Sequence, residues 1–267
     1  MARAVSVETM RKSDAYTIEN LVPSKELMYR AGRGIFEAVD KYKQDENVSL
    51  PGDKQTCSKA ADGREACDTM VAFSGMGSCR RFYLSCPYGC SQNNTGWRDP
   101  VAIAAGKGNN AGDGYVVAML LHDRGIPVEI ILLDEKFSED GRYYYDQCME
   151  AEIPVKMFEP GMDLTRYGSI VDCLLGTGFS GDVREPMASF IREINEAGEK
   201  GTFVVSADLN SGLNGDTGEG SLYVRSDLTV SIGEFKYGHF IGRANEAMKD
   251  RVNVDIGIEI IGETEEI

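Results

Sequence analysis

The sequence predicts an α/β protein with a doubly wound, mostly parallel, Rossmann-like sheet covered by helices on both faces. Three observations predict it. From residue 101 onward, short apolar runs alternate with amphipathic segments. The runs 101–105 and 202–207 are apolar almost throughout, as in strands buried on both faces. A glycine-rich segment, 106–113, sits where a strand would turn into the next helix.

The elements follow in order. Residues 6–20 and 24–43 have helical patterning. In the second, Leu27, Met28, Ala31, Ile35, Ala38 and Val39 recur at helical spacing, and Ser24 is a suitable N-cap. The pair is expected to cover the core. Residues from about 45 to 99 break the pattern with Gly, Ser, Asn, Asp and Cys, and read as a Cys-rich, largely loop insertion within one domain spanning 1–267. Next come a strand at 101–105, the glycine turn, and a helix from Asp113 to Arg124 closed by Gly125. Further strands are expected at 128–133, 153–158, 168–175, 202–207, 228–232 and 252–256. Helices are expected from Ser138 to about Ala151 and from Pro186 to about Ala197.

Composition narrows the function. The formal net charge of −15 excludes a general nucleic-acid binder, so any phosphate site must be local, built from backbone N–H groups and a few basic side chains. No run of about 18 apolar residues is present, so no membrane helix is expected. The N-terminus, Met1-Ala2-Arg3-Ala4-Val5, leads straight into a helical pattern, so no secretory signal is expected either. The expectation is a soluble cytoplasmic protein with reduced thiols. With only two His, a His-rich metal site is excluded. His122 falls near a helix end, where a dipole or solvent-facing role suffices. His239 is retained as a candidate. Five of the seven Cys lie in the insertion (Cys57, Cys67, Cys79, Cys86 and Cys90) without the paired Cys-x2-Cys spacing of a zinc ribbon. They are read as part of a lineage-specific loop, and Cys148 and Cys173 as small buried apolar residues.

Ligands of doubly wound sheets bind at the carboxyl ends of the strands, and three polar segments fall there. The first is Gly106-Lys107-Gly108-Asn109-Asn110-Ala111-Gly112-Asp113, a turn whose helix start can hold phosphate with free N–H groups; alternatively it is a glycine-rich turn without a ligand. The second runs from Asp172 through Gly176, Thr177, Gly178, Phe179, Ser180, Gly181 and Asp182 to Pro186. Asp172 ends an apolar strand, so its carboxylate needs a partner: a cation, a basic side chain or several N–H groups. The third is Ala207-Asp208-Leu209-Asn210-Ser211-Gly212, where Asp208 again ends an apolar run. Three strand ends thus bring Asn110, Asp172, Asp208 and Ser211 towards one crevice. Oxygen ligands of low net charge suit a hard, monovalent cation better than zinc.

These three segments, with Ser24-Lys25-Glu26-Leu27-Met28-Tyr29-Arg30-Ala31-Gly32, Gly233-Glu234-Phe235-Lys236 and Asp255-Ile256-Gly257-Ile258, resemble the NAD(P)H-hydrate epimerase family, the YjeF N-terminal domain, over about 1–44 and 98–260. The resemblance implies an isomerase that interconverts the R and S epimers of NADHX and NADPHX, the nicotinamide cofactors hydrated at C6. It implies a potassium ion held by Asn110, Asp172 and Ser211. It implies hydrate contacts from Asn109, Asn110, Ala111, Gly112 and Asp113, from Gly176, Thr177, Gly178, Phe179, Ser180, Gly181 and Asp182, and from Asp208, which is the expected acid/base residue. It also implies a homodimer working with a separate NAD(P)H-hydrate dehydratase.

The chain departs from the family pattern in places. Ala111 replaces a usual Gly, a small change at negative φ and a serious one at positive φ. Leu209-Asn210 replaces the usual Ile-Pro, so that turn is expected to be less rigid. Tyr29 stands where a polar residue is common. Two other readings compete. One is an NAD(P)-dependent oxidoreductase, with Asp134 at the second strand's end reading the ribose. The other is a non-catalytic nucleotide-binding or scaffold module of the same fold.

Overall fold

The structure, a computed structural model, describes residues 3–45 and 96–267. The Cys-rich insertion proposed for 45–99 therefore falls almost wholly outside the described residues. Of the described residues, 3–40 and 97–267 form one compact unit.

The chain opens with β1 (Arg3–Val5), α1 (Val7–Asn20) and α2 (Ser24–Asp45). The alternating region follows: β2 (Val101–Ala105), α3 (Asn109–Asp123), β3 (Val128–Leu132), α4 (Glu139–Glu150), β4 (Val155–Met157), β5 (Ser169–Cys173), α5 (Met187–Glu199), β6 (Phe203–Ala207) and β7 (Ser226–Ile232). It closes with β8 (Phe235–Lys236), a 3-10 turn at Tyr237–His239, α6 (Ala244–Ala247), β9 (Met248–Val254) and β10 (Glu265–Glu266). Among the described residues no helix is long and apolar enough to cross a membrane.

The central sheet runs β4-β3-β2-β5-β6-β7-β9, with every neighbouring pair parallel. The order reverses between β2 and β5, so the turn after β2 and the loop after β5 flank the switch point where such sheets bind ligands. Strands β2, β5 and β6 are buried at every position, including polar Ser169, Asp172 and Ser206. One layer of the core gathers Ala102, Ala104, Ile131, Ile170, Phe190, Ile191 and Ile194. In it Phe158 and Phe190 stack with ring centroids 4.0 Å apart.

The ends of the elements follow their local chemistry. Ser6 caps α1 by accepting from the Thr9 N–H (3.0 Å), and Ser138 caps α4 by accepting from the Gly141 N–H (3.2 Å). Gly125, at φ 72, follows Arg124, the C-cap of α3. Helix α3 itself starts at Asn109, not Asp113, so the polar half of the glycine turn is already its first turn. Ser24 is the first helical residue of α2 rather than a residue preceding it. The alternation of apolar runs gave no sign of a second sheet, β10-β1-β8, because strands of two or three residues carry no measurable period.

The Leu209-Asn210 turn is tied down rather than loosened. Asn210 is buried and its amide nitrogen lies 2.9 Å from the Val224 carbonyl, 2.9 Å from Ser226 Oγ and 3.0 Å from the Ala247 carbonyl. Thr229 Oγ1 donates to its Oδ1 at 2.6 Å. One side chain thus fastens the turn to β7 and α6. Asn210→Ala is expected to leave these buried groups unpaired and lower the unfolding free energy by about 2–3 kcal/mol. Urea denaturation measures this; an unchanged midpoint would mean that the turn owes nothing to Asn210.

Candidate active site

A cleft of about 700 Å3 opens at the switch point. Its walls come from α1 and α2 on one side, and from the glycine turn, the loop after β5 and the ends of β6, β7 and β8 on the other. Asn109, Asn110 and Asp113 line it, as do Gly176, Thr177, Gly178, Phe179, Ser180 and Asp208. Four residues expected to contact a ligand lie outside the lining. Ala111 and Gly112 are buried in helix packing, Gly181 is exposed outside the lining, and the Asp182 carboxylate accepts from Ser221 Oγ at 3.0 Å. Asp134, the ribose reader of the oxidoreductase alternative, pairs with Lys136 and is also absent from the cleft.

The glycine turn is shaped by two close approaches. A Cβ on Gly106 would sit 2.0 Å from the Leu174 carbonyl oxygen, so only glycine lets the turn after β2 press against the loop after β5. A Cβ on Gly112 would meet Met28 Sδ at 2.4 Å, where α3 packs on α2. Gly108 has open space around it and φ −97, so nothing steric requires glycine there. Gly108 also offers no side-chain cap to α3; the Ala111 N–H donates to the Gly108 carbonyl (3.2 Å), and the N–H groups of Asn109 and Asn110 stand uncapped beside the cleft. Glu152 and Asp208 are the described non-glycine residues with positive φ; Ala111 is not one of them, and its methyl is accommodated within the helix.

Asp172 lies beneath the cleft, fully buried, and its partners are donors of the protein itself. Ser211 donates from N–H (2.9 Å) and from Oγ (2.5 Å), Ser206 from Oγ (3.0 Å) and Leu174 from N–H (3.3 Å). Burial pushes the carboxyl above its usual range, while these hydrogen bonds pull the other way. Ser211 Oγ also accepts from the Leu175 N–H at 2.9 Å. Asn110 joins the same cluster: its Nδ2 donates to the carbonyls of Leu175 (2.8 Å) and Ala207 (3.2 Å). Its Oδ1 is buried without a hydrogen-bond partner.

Asp208 ends β6 in a left-handed backbone conformation, φ 63. Four contacts hold it there. Its N–H donates to the Val230 carbonyl (2.8 Å), and its Oδ1 accepts from the Ile232 N–H (3.3 Å) and is ion-paired with Lys236. The fourth contact is His239. The Lys236 N–H donates to His239 Nδ1 (3.0 Å), so the neutral ring carries its proton on Nε2 and donates to the Asp208 carbonyl (2.7 Å). The sequence marks His239 as a candidate without a partner and gives Lys236 no role beyond its place in the Gly233–Lys236 segment. An isolated Lys in a Gly-Glu-Phe-Lys segment reads as surface, yet this one is buried with its Nζ also on the Ile232 carbonyl (2.9 Å).

Burial, reinforced by the Lys236 charge, lowers the His239 pKa to about 4. The unfolded chain takes up that proton near 6.5 and the folded protein resists it, so the contribution to stability is complete above 6.5 and is lost as pH falls towards 4. It amounts to about 3 kcal/mol across that window. The unfolding free energy of His239→Asn should therefore depend less on pH between 6.5 and 4 than that of the wild type. Parallel curves would show that the histidine titrates freely in the folded state.

Residues 24–238 match the family model described as YjeF-related protein N-terminus. The chain is 37% identical over 158 residues to the bifunctional NAD(P)H-hydrate repair enzyme Nnr of Archaeoglobus fulgidus, an alignment covering 59% of this chain and 32% of that protein. It is 35% identical over 163 residues to the NAD(P)H-hydrate epimerase of Oenococcus oeni, covering 59% and 74% respectively. The chain spans about a third of the length of the bifunctional relatives it matches. The crystal structure of a yeast protein shares the fold, with a TM-score of 0.64 at 19% identity over 97% of this chain and 96% of that one. With most of its length matched, the chain belongs to the YjeF-related protein N-terminus family.

Proposed function

We propose that this chain is an isomerase that interconverts the R and S epimers of NADHX and NADPHX. The observation that carries the reading is the meeting of the glycine turn, the loop after β5 and Asp208 around one cleft at the switch point. Relatives of this chain named NAD(P)H-hydrate epimerase support it. The uncapped N–H groups of Asn109 and Asn110 at the start of α3 suit the pyrophosphate of a dinucleotide. Asn109, Asp113 and the stretch 176–180 would then contact the rest of the hydrate. Asp208, fixed by Lys236 and His239, would move the proton at the C6 hydroxyl.

Potassium belongs to the same reading. Asn110 Oδ1, buried and unpartnered, lies on the side chain that already binds the Leu175 carbonyl, beside Ser211 Oγ and Asp172. An all-oxygen set with one carboxylate fits a hard monovalent cation. Asn110, Asp172 and Ser211 would hold it, with the Leu175 carbonyl added to the set. When bound, the ion supplies positive charge that ties the glycine turn to the loop after β5 and offsets the charge of an anionic substrate. A cytoplasmic homodimer, and a separate dehydratase consuming the S epimer, complete the proposal.

An R,S mixture of NADHX supplied with an S-specific dehydratase tests it. This protein should accelerate consumption of the R epimer; no acceleration would reject the epimerase reading. Asp208→Asn should slow the reaction by roughly 100-fold or more, as loss of an acid/base group does, with the unfolding midpoint as a check on folding. Exchanging potassium for tetramethylammonium should lower the wild-type rate severalfold and leave Asn110→Ala unaffected. Equal rates in the two salts would remove the ion from the proposal.

A further inference from the structure

Among the charged groups lining the cleft are Asp14 from α1, Asp113 from the first turn of α3, Asp208 from the end of β6 and Lys236 from β8. All four line the same cleft, and the charges of Asp208 and Lys236 act on both other carboxyls. Asp208 is paired with Lys236. Among the described residues, Asp14 and Asp113 have neither a hydrogen-bond nor an ion-pair partner.

Asp14 is held in place by its own helix. Ser13 and Thr17, both fully buried, accept from the N–H groups of Ile261 (2.9 Å) and Glu259 (3.0 Å). Upstream, the Val7 N–H donates to Asp216 Oδ1 (2.7 Å). These ties fix the rotation of α1 and place Asp14 in the cleft wall. A carboxyl group held there without a partner costs stability, so packing gives no reason for it. A structural Asp on this helix would have a cap or a cation. Arg11 on the same helix, Lys107 in the glycine turn and Asp140 at the start of α4 are the other charged groups lining the cleft.

We propose that Asp14 is a second catalytic residue, the acid that works against the Asp208 base. The assignment rests on the epimerase reading. In the hydrate, C6 bears the hydroxyl and is bonded to N1, so the atoms that lose and gain protons are neighbours. Two carboxyl groups within reach of each other's charge suit such a pair of atoms. The Asp208 carboxylate takes the hydroxyl proton, and the O–H pair becomes the second C6–O bond. The C6–N1 bond breaks, its pair passes to N1, and the Asp14 carboxyl gives N1 its proton. Rotation about C5–C6 turns the other face of the aldehyde to N1. Closure reverses each transfer and returns both carboxyls to their starting states, with no atom gained or lost. Asp208 holds one proton more and Asp14 one fewer until the ring closes, so the charge of the cluster is constant throughout.

The environments of the carboxyls sort their roles. Burial, aided by the Asp208 charge and opposed by Lys236, pushes Asp14 up to about 6, where it gains and loses a proton near neutral pH. Burial, reinforced by the charges of Asp208 and Asp14, raises Asp113 well above the carboxylate range. Because the folded value of Asp14 exceeds its ordinary 3.8, its ionised form opposes folding: the cost grows as pH rises from 3.8 to about 6 and is complete above that.

The test uses the coupled R,S-NADHX assay with wild type, Asp14→Asn and Asp14→Ala, and thermal melting of each. Asp14→Asn should lower kcat by roughly 100-fold with KM changed by less than about threefold, and should erase the inflection near pH 6 that the wild-type profile shows. Acetate should restore part of the activity of Asp14→Ala. Asp14→Asn should also melt higher than wild type at pH 8, with the gain fading towards pH 4, which a merely structural residue would not give. Wild-type kcat and an unchanged pH profile in Asp14→Asn would overturn the assignment while an active wild type keeps the epimerase reading. An inactive wild type would remove both. A slow Asp14→Asn that melts lower at pH 8, with no acetate rescue of Asp14→Ala, would also overturn it, making Asp14 structural.

Discussion

A carboxylate closed off from water must be met by donors, and the way Asp172 is met organises the whole ligand face of the sheet. It sits near the end of β5, between β2 and β6, where the strand order reverses. Its donors come from β6 (Ser206), from the turn beyond β6 (Ser211) and from the loop beyond β5 (Leu174). One side chain therefore fixes the positions of two strand ends and two loops. Asn110 extends the tie to α3 by donating to the Leu175 and Ala207 carbonyls. The cleft is open because these loops are stitched beneath it rather than across it.

Asp208 illustrates how such a frame holds an unusual backbone. A left-handed Asp is tolerated better than most residues but still needs its neighbours to impose it. The carboxylate, the N–H and the carbonyl are each committed: to Lys236 and Ile232, to Val230, and to His239. Lys236 reaches this place through a two-residue strand that pairs with β1. The N-terminal strand thus aligns the residues that grip Asp208 and leads directly into α1, the helix that carries Asp14.

Legibility in the sequence followed periodicity and chemical cost. Long apolar runs such as 101–105 and 203–207 announced buried parallel strands because no other arrangement satisfies their backbones and side chains together. Asp172 and Asp208 stood out because a carboxylate at the end of an apolar run must have a reason to be there. Asn110 stood out within a glycine-spaced turn. Lys236 and Asp14 carried no such signal. A single Lys after Phe, or an Asp among Lys12, Ser13 and Tyr16, is ordinary on an exposed helix or loop. Ala111 and Gly112 were drawn into the ligand set because they lie between Asn110 and Asp113 in sequence; in a helix, two residues between two cleft-facing ones point into the packing instead.

By itself the sequence determined which strands of the central sheet form, that they are mostly parallel, and which turn and which strand ends face a ligand. Those are local properties: burial on both faces, glycine where the backbone must approach closely, polar residues where an apolar run stops. Only the tertiary structure decided the company each group keeps. Strand order put Asn110, Asp172 and Ser211 against one another across about 100 residues of chain. The short β1–β8 pairing brought Lys236 and His239 to Asp208, and the anchoring of α1 at Ser13 and Thr17 turned Asp14 into the cleft. Contacts between distant segments depend on packing geometry, and no window of sequence contains it.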